Sequence, residues 1–436
     1  MTRPAAAPPD LTTRSLLRNG PFVRLTLSLF LLRLGTGMTT VGLPLLVLDR
    51  YGLGLDVGLA LGIRFLPNIF LGAAVGHVTD RYDPRRVAVY SALASAAVVA
   101  LFPFTTAMWQ IQVLAFLVGL SFMFGVPTRM ALRPAVMPSG SELRGNSLLV
   151  TSERLTSFLG PATAGPIVAF AGIGWLFGVE AVTAVLAAVL LLGLPPVPRP
   201  DAAGAAASPP APGDAPAPTG GRRSVGRVAW DLVRRVLITS PRELAGLVRR
   251  DRLMLGLTVT AFTYVAAVSL GRVFLTAFET ERWPGSGAFA YALAAMGVGG
   301  VLGGLLGGRL GRLPAGWLYL LANVVEGLCW LAMPLAGSVV VLLGLTFVAG
   351  VLESVATVVF FAEVQRRLPA SHMGRYYAGL VPLTDLFVAV GFIGGAPAVG
   401  LLGLGWSAVL ITLLMAVPVL AFTRSFVRVS PPGGSP

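Results

Sequence analysis

The chain has 436 residues, 55% of them hydrophobic and only 12% charged, with a mean hydropathy of +0.80 and a formal net charge of +14. Soluble domains carry roughly a quarter charged residues, and disorder requires low hydrophobicity. Composition therefore excludes an ordinary soluble enzyme and a mainly disordered chain, and leaves a polytopic α-helical membrane protein, in which each crossing takes about 20 apolar residues.

Residues 1–20 are polar and carry prolines; they lack the apolar core and cleavage site of a signal peptide and read as a cytoplasmic tail. Six apolar runs follow, at about 22–48, 56–78, 87–106, 111–132, 145–170 and 175–194. These are spans one to six, and 21–194 is an N-terminal half. Residues 195–252 form a linker, of which 195–221 is almost wholly Pro, Ala and Gly and cannot bury a core. Further on, Val225, Val228, Ala229, Leu232 and Val236 recur at helical spacing opposite Arg227, Asp231, Arg234 and Arg235. This pattern predicts an amphipathic helix lying on the inner leaflet. Ser240, Pro241 and Glu243 read as N-cap, N1 and N3 of a second short helix. Spans seven to twelve lie at about 253–278, 287–308, 313–335, 338–362, 376–399 and 404–423, giving a C-terminal half over 253–424 and a cytoplasmic tail over 425–436. The expected fold is all-α, with twelve transmembrane helices in two six-helix halves.

All 33 basic residues are Arg. Of these, 27 fall in the tails, the linker and the loops of one face, against only Arg50 and Arg282 on the other. That bias predicts cytoplasmic termini and linker, which an even number of spans requires. The arginines sit in short loops rather than on a folded face with interleaved aromatics, so no nucleic-acid surface is expected. Without Lys there is no G-x-x-x-x-G-K-[ST] loop, hence no ATP hydrolysis by that route, and no Schiff base. Cys329 is the single cysteine, and His77 and His372 alone cannot make a zinc site, so no disulfide, metal or cofactor is expected. No clustered catalytic set appears, which ranks an intramembrane enzyme or sensor below a transporter.

The stretch joining spans two and three carries Gly72, Gly76, Asp80, Arg81, Asp83, Pro84, Arg85 and Arg86. Asp80 at a cytoplasmic helix end, among three arginines, can cap a neighbouring helix and hold charge-assisted bonds: a latch that closes in one conformation and opens in another. The stretch resembles the signature loop of the major facilitator superfamily, G-x-L-A-D-R-x-G-R-[KR], with Asp83-Pro84 in place of the second glycine. Two more stretches are similar to the branch that contains the enterobactin exporter and macrolide efflux pumps. One holds Pro127, Arg129, Arg133 and Pro134, then Glu142 and Asn146. The other holds Gln365, Arg366, Arg367 and Pro369, then Gly374, Arg375 and Gly379. Between spans eight and nine, Gly304, Gly308, Arg309, Gly311 and Arg312 form a worn copy of the signature, with Gly308 at the aspartate position. Gly160, Pro161, Ala164 and Gly165 in span five resemble the G-P-x-x-G-G antiporter motif of drug exporters.

The resemblance implies two pseudo-symmetric halves around a central cavity, lined by spans one, four, seven and ten, with spans two, five, eight and eleven in contact between halves. Charges at bilayer depth are costly and mark cavities or partners. Here they are Arg33, Arg64, Glu153, Arg154, Glu180, Arg272, Glu326, Glu353 and Asp385. Arg33, Arg272 and Glu353 fall on cavity spans; Glu180 and Glu326, on outer spans, read as structural. Many drug exporters carry an acid in span one, where this chain has Arg33, so a coupling proton is assigned to Glu153, Glu353 or Asp385. At about 1.5 Å per residue, Arg64 and Asp385 reach similar depths, and they are expected to pair across the halves in one transport state. Phe30, Trp109, Phe122, Phe124 and Phe262 are candidate pocket aromatics, although lipid or core contacts are their more usual fate. The predicted function is alternating-access export of an amphipathic small molecule, such as a drug, antibiotic or siderophore, through a bacterial inner membrane. The proton gradient is the expected driving force and a monomer the expected state. The alternative is a uniporter or importer of a metabolite or lysolipid.

Overall fold

A computed structural model describes residues 13–52, 54–70, 82–138, 142–195, 234, 240–249, 251–309, 314–368 and 370–427. These residues are mostly helical, with no strand among them. Span one is the helix Gly20–Tyr51, span three Pro84–Val99, span four Met108–Val136, span five Glu142–Ala171 and span six Gly174–Leu192. Span seven is Arg252–Ala277, span eight Ala288–Arg309, span nine Ala315–Ala332 and span ten Val339–Arg367. Spans eleven and twelve form one run, Ala370–Ala421, broken at Gly403, whose φ of 69° is a left-handed conformation that glycine adopts without a Cβ clash. Nine helices among the described residues are long and apolar enough to cross a membrane, this run counted once. With the run divided, span five (apolar over Phe158–Ala171) and span two added, the architecture is consistent with twelve spans.

Span two departs from the expected continuous helix. It is helical over Leu55–Ile63, turns at Arg64 and Phe65, and is helical again over 66–70. Pro67 is the physical cause: it has no N–H, and its ring crowds the carbonyl of Ile63. The Phe65 amide bonds back to the Gly62 carbonyl instead. The helix Ser240–Val248 begins where the capping residues placed it. Gly76, Asp80 and Arg81, the amphipathic helix over 225–236 apart from Arg234, and Gly311 and Arg312 lie outside the described residues.

The two halves repeat each other's neighbours. Span one packs on spans five and six, and span seven on the eleven–twelve run; span three packs on four and six, and span nine on ten and the eleven–twelve run. The repeat extends to single side chains. Arg50, at the end of span one, donates to the carbonyls of Pro103 and Thr105 after span three. Arg282, at the end of span seven, donates to the carbonyl of Pro334 after span nine. The two arginines of the arginine-poor face thus do the same work, satisfying carbonyls of the short turns Phe102–Phe104 and Met333–Leu335.

The halves meet through spans two and eleven and through spans five and eight. At the end where Arg50 and Arg282 lie, one apolar core crosses between them, from Leu43, Val57 and Phe177 to Phe274, Phe289 and Phe392. Toward the other end the core divides. One cluster, with Phe22, Leu132 and Leu191, belongs to the N-terminal half; another, with Leu257, Val359 and Phe426, belongs to the C-terminal half. Among the described residues, the bundle is joined at one end and split at the other.

Candidate transport cavity

Between the halves lies a cavity of about 360 Å³. Arg33, Arg64 and Pro161 wall it from the N-terminal half, and Arg272, Gly300 and Glu353 from the C-terminal half. Arg64 sits at the Pro67 bend, with its carbonyl so close to Gly119 of span four that a Cβ there would collide. Its guanidinium carbon lies 5.0 Å from the Phe65 ring centroid, a cation–π contact. The opposite wall is thin because spans eight and ten cross closely: Gly299 and Gly303 abut the carbonyls of Phe347 and Val351, and Gly350 abuts that of Met296.

Four of the embedded charges expected at the site therefore share one cavity: Arg33, Arg64, Arg272 and Glu353. Span four, expected to line it, does not do so among the described residues, whereas spans two, five and eight do. Of the charges of span four, Arg133 is engaged within its own half and Arg129 is buried. Arg133 Nη2 lies 2.9 Å from Glu153 Oε1, and Arg129 is only 7% exposed. Glu153 is thereby a paired acid on a side pocket of about 40 Å³, rather than a wall of the central cavity.

Asp385 meets a different partner here. It is not paired with Arg64 in this conformation; the Asn68 amide donates to its Oδ2 across the two halves. Asn68 is one turn beyond Arg64, on the far side of the turn at Arg64 and Phe65. Asp385 and Glu353 both line a second chamber of about 520 Å³ inside the C-terminal half, walled by Tyr264, Tyr319, Phe360 and Tyr377. Glu353 and Thr357 line both spaces and form their junction. Glu180 and Glu326 are buried. Thr39 donates to Glu180, and the Tyr264 hydroxyl lies 3.0 and 3.2 Å from the two Glu326 oxygens.

The Major Facilitator Superfamily model matches residues 25–391. The chain belongs to that superfamily. It is a multi-pass membrane transporter, not an enzyme. It is 28% identical over 166 residues to the multidrug efflux pump Tap of Mycolicibacterium fortuitum, covering 36% of this chain and 40% of Tap. It is 26% identical over 202 residues to the enterobactin exporter EntS of Shigella boydii serotype 18, covering 44% of this chain and 47% of EntS. Each match thus spans less than half of the relative. The fold is similar to that of the nucleoside transporter NupG, with a TM-score of 0.68 at 14% identity over 93% of this chain and 98% of NupG. It is also similar to a bacterial homologue of the human lysosomal transporter Spinster in an inward-facing, unoccupied conformation, with a TM-score of 0.66 at 14% identity over 95% and 98% of the two chains.

Several superfamily motifs acquire a physical meaning in this structure. Of the signature loop, Asp83 caps span three by accepting from the Arg85 amide at 3.0 Å, with Pro84 at N1. The Arg85 side chain donates to the Leu192 carbonyl, and Arg24 donates to that of Gly193 at 2.5 Å, so both satisfy the end of span six. Arg86 lines a surface groove with Tyr82 and Tyr90. In the antiporter-like motif, a Cβ on Gly160 would stand 2.8 Å from the Gly37 Cα of span one, while Gly165 faces Tyr291 of the other half. Pro161 itself lines the cavity. In the second branch-like stretch, Arg367 lies 2.9 Å from Asp251 and 3.2 Å from Glu363. Asp251 caps span seven through the Leu253 amide at 2.8 Å. Partial burial opposes its charge, but the Leu253 amide and the Arg367 guanidinium outweigh it and hold the carboxyl below its ordinary value.

The sequence reading missed Asn68 and the tyrosine-walled chamber. Asn68 carries no charge, so nothing marked it at bilayer depth. A phenolic hydroxyl at that depth is a usable signal, since it needs a partner, and Tyr264 and Tyr319 both have one. Of the aromatics named from sequence, none lines the central cavity or the tyrosine chamber; Trp109 is exposed, Phe124 lines the surface groove beside Arg86, and Phe262 stacks on Phe387 at 5.1 Å.

Proposed function

We propose that this chain exports an amphipathic small molecule across a bacterial inner membrane by alternating access, with both termini and the linker cytoplasmic. The observation that carries the reading is a cavity walled by both halves, with one core joining them at one end and separate cores at the other. The arginine bias of 27 to 2 makes the split end cytoplasmic, so this is the inward-facing form. Rocking the halves to close the split end and part the joined end moves cargo without an open pore. Outward direction is supported by the antiporter-like motif and by the similarity to Tap and EntS, an efflux pump and an exporter.

The proton gradient supplies the energy in this reading, and Asp385 is the acid best placed to use it. It touches the other half through Asn68 and also lines the chamber that adjoins the central cavity. Protonation removes the charge that strengthens the Asn68 bond, which loosens the joined end. Glu353 is the second candidate.

The test is accumulation of a panel of amphipathic dyes in inverted membrane vesicles. The expected result is gradient-dependent accumulation that a protonophore collapses and that Asp385→Asn uncouples. Flux that equilibrates without responding to the gradient would favour the uniporter.

A further inference from the structure

We infer that the cargo is a single-headed amphipathic anion, its acidic group held between Arg64 and Arg272 and its ring-bearing body seated in the chamber of the C-terminal half. The inference rests on the transport reading above and names its cargo class.

The cavity wall carries three guanidinium groups, Arg33, Arg64 and Arg272, against one carboxylate, Glu353. Elsewhere in the molecule the described ion pairs engage Arg133, Arg366 and Arg367 with Glu153, Glu363 and Asp251. Among the described residues, none of the three cavity arginines lies within ion-pair distance of a carboxylate. Arg64 and Arg272 come from opposite halves and wall the same cavity. Two like charges in a partly dehydrated space disfavour approach of the halves until an anion bridges them. A guanidinium presents a planar fork that matches carboxylate, sulfonate and phosphate oxygens. The same anion that fills the site therefore draws the two halves together, so loading and closure of the split end are one event.

The second chamber supplies the rest of the specificity. Tyr264, Tyr319, Phe360 and Tyr377 offer ring faces with a few hydroxyls. It meets the arginine cavity at Glu353. Among the described residues, the chamber lining holds two acidic side chains, Glu353 and Asp385, and no cationic one, which restricts the anionic group to the arginine end. A cationic amphiphile would instead be repelled at the arginine end.

Three matched probes test this: 2-naphthoate, its neutral isostere 2-naphthamide, and 2-naphthyltrimethylammonium. Binding to the purified full chain in detergent is measured by titration calorimetry. The expected result is naphthoate binding at least about tenfold tighter than the other two, a difference of about 1.4 kcal/mol. Arg64→Gln and Arg272→Gln should each bring naphthoate down to the amide, while Arg64→Lys and Arg272→Lys keep part of the preference. Tyr377→Leu should weaken all three probes alike. Equal affinities, tighter binding of the ammonium, a preference that survives both glutamine variants, or no measurable binding of naphthoate overturns the inference. Because the titration contains no membrane and no gradient, an anion preference alongside failed dye export would overturn the export reading and leave the anion site standing.

Discussion

The joined and split ends of this bundle are held by different physics. At the joined end the halves meet through apolar side chains and backbone: Gly58 lies against the Phe392 carbonyl, Phe65 stacks on Phe392 at 6.0 Å, and Asn68 bonds Asp385. Among the described residues, the polar contacts at the split end close within each half. Arg24 and Arg85 satisfy span six, and Asp251, Glu363 and Arg367 satisfy each other. Apolar burial scales with area and needs the halves together, so it favours this conformation directly. Charges already satisfied within each half add no penalty when the halves part. The difference shows where the described contacts can move the conformational equilibrium: at the joined end and in the cavity.

The largest effect is expected from Gly58→Leu, which drives a side chain into the Phe392 backbone. Overpacking costs about 1–3 kcal/mol, enough to shift the two-state ratio by about five- to 150-fold. Spin labels across the joined end, in a Cys329→Ser background, should report longer distances, and dye export should fall about tenfold or more. Unchanged distances with normal export would mean that this contact does not close the joined end.

Asn68→Ala comes next. A hydrogen bond to a charged group contributes about 1.5–3 kcal/mol, so the joined end should loosen without gross unfolding. Combining it with Asp385→Asn should add little beyond Asn68→Ala alone, because Asp385→Asn only weakens the bond that Asn68→Ala removes. Full additivity in the label distances would show that the two residues act separately.

Gly403→Ala separates local strain from contact between halves. At φ 69° and ψ 178°, with open space around it, alanine suffers only the backbone penalty of a region that glycine alone adopts readily, about 1–3 kcal/mol. Its melting temperature should drop while the label distances across the joined end stay put.

The smallest effect belongs to the split end. Asp251→Asn removes a partly exposed ion pair of the kind that contributes about 0.2–1 kcal/mol, and export should be nearly normal. The sign with pH is defined. The Asp251 carboxyl is held below its ordinary value when folded, so its contribution is full above about pH 3.9 and is lost as pH falls through the folded value. Melting curves of the wild type and Asp251→Asn should converge on acidification; a gap that widens toward low pH would reverse the assignment.

Much of the site was legible because burial at bilayer depth is expensive for a charge. Arg33, Arg64, Arg272 and Glu353 had to face a cavity or a partner, and all four line the same one. Their neighbours were harder to read. Glu153 and Asp385 looked equally available, yet Arg133 engages the first and Asn68 the second. Pro67 was present to warn that span two bends, and Asn68 beside it is the residue that meets Asp385 here.

Apolar run length and the six-plus-six spacing are local properties, written along the chain in period and composition, and they determined the helices and the halves without any contact being known. The cleft's location, the neutral amide that meets Asp385, and the end at which the cores merge depend on helix rotation, on one bend, and on atoms brought within 4 Å across hundreds of residues. Those relations are short-ranged in space and long-ranged in sequence. Apolar residues occupy both ends of every span alike, so only tertiary packing decides which end is joined.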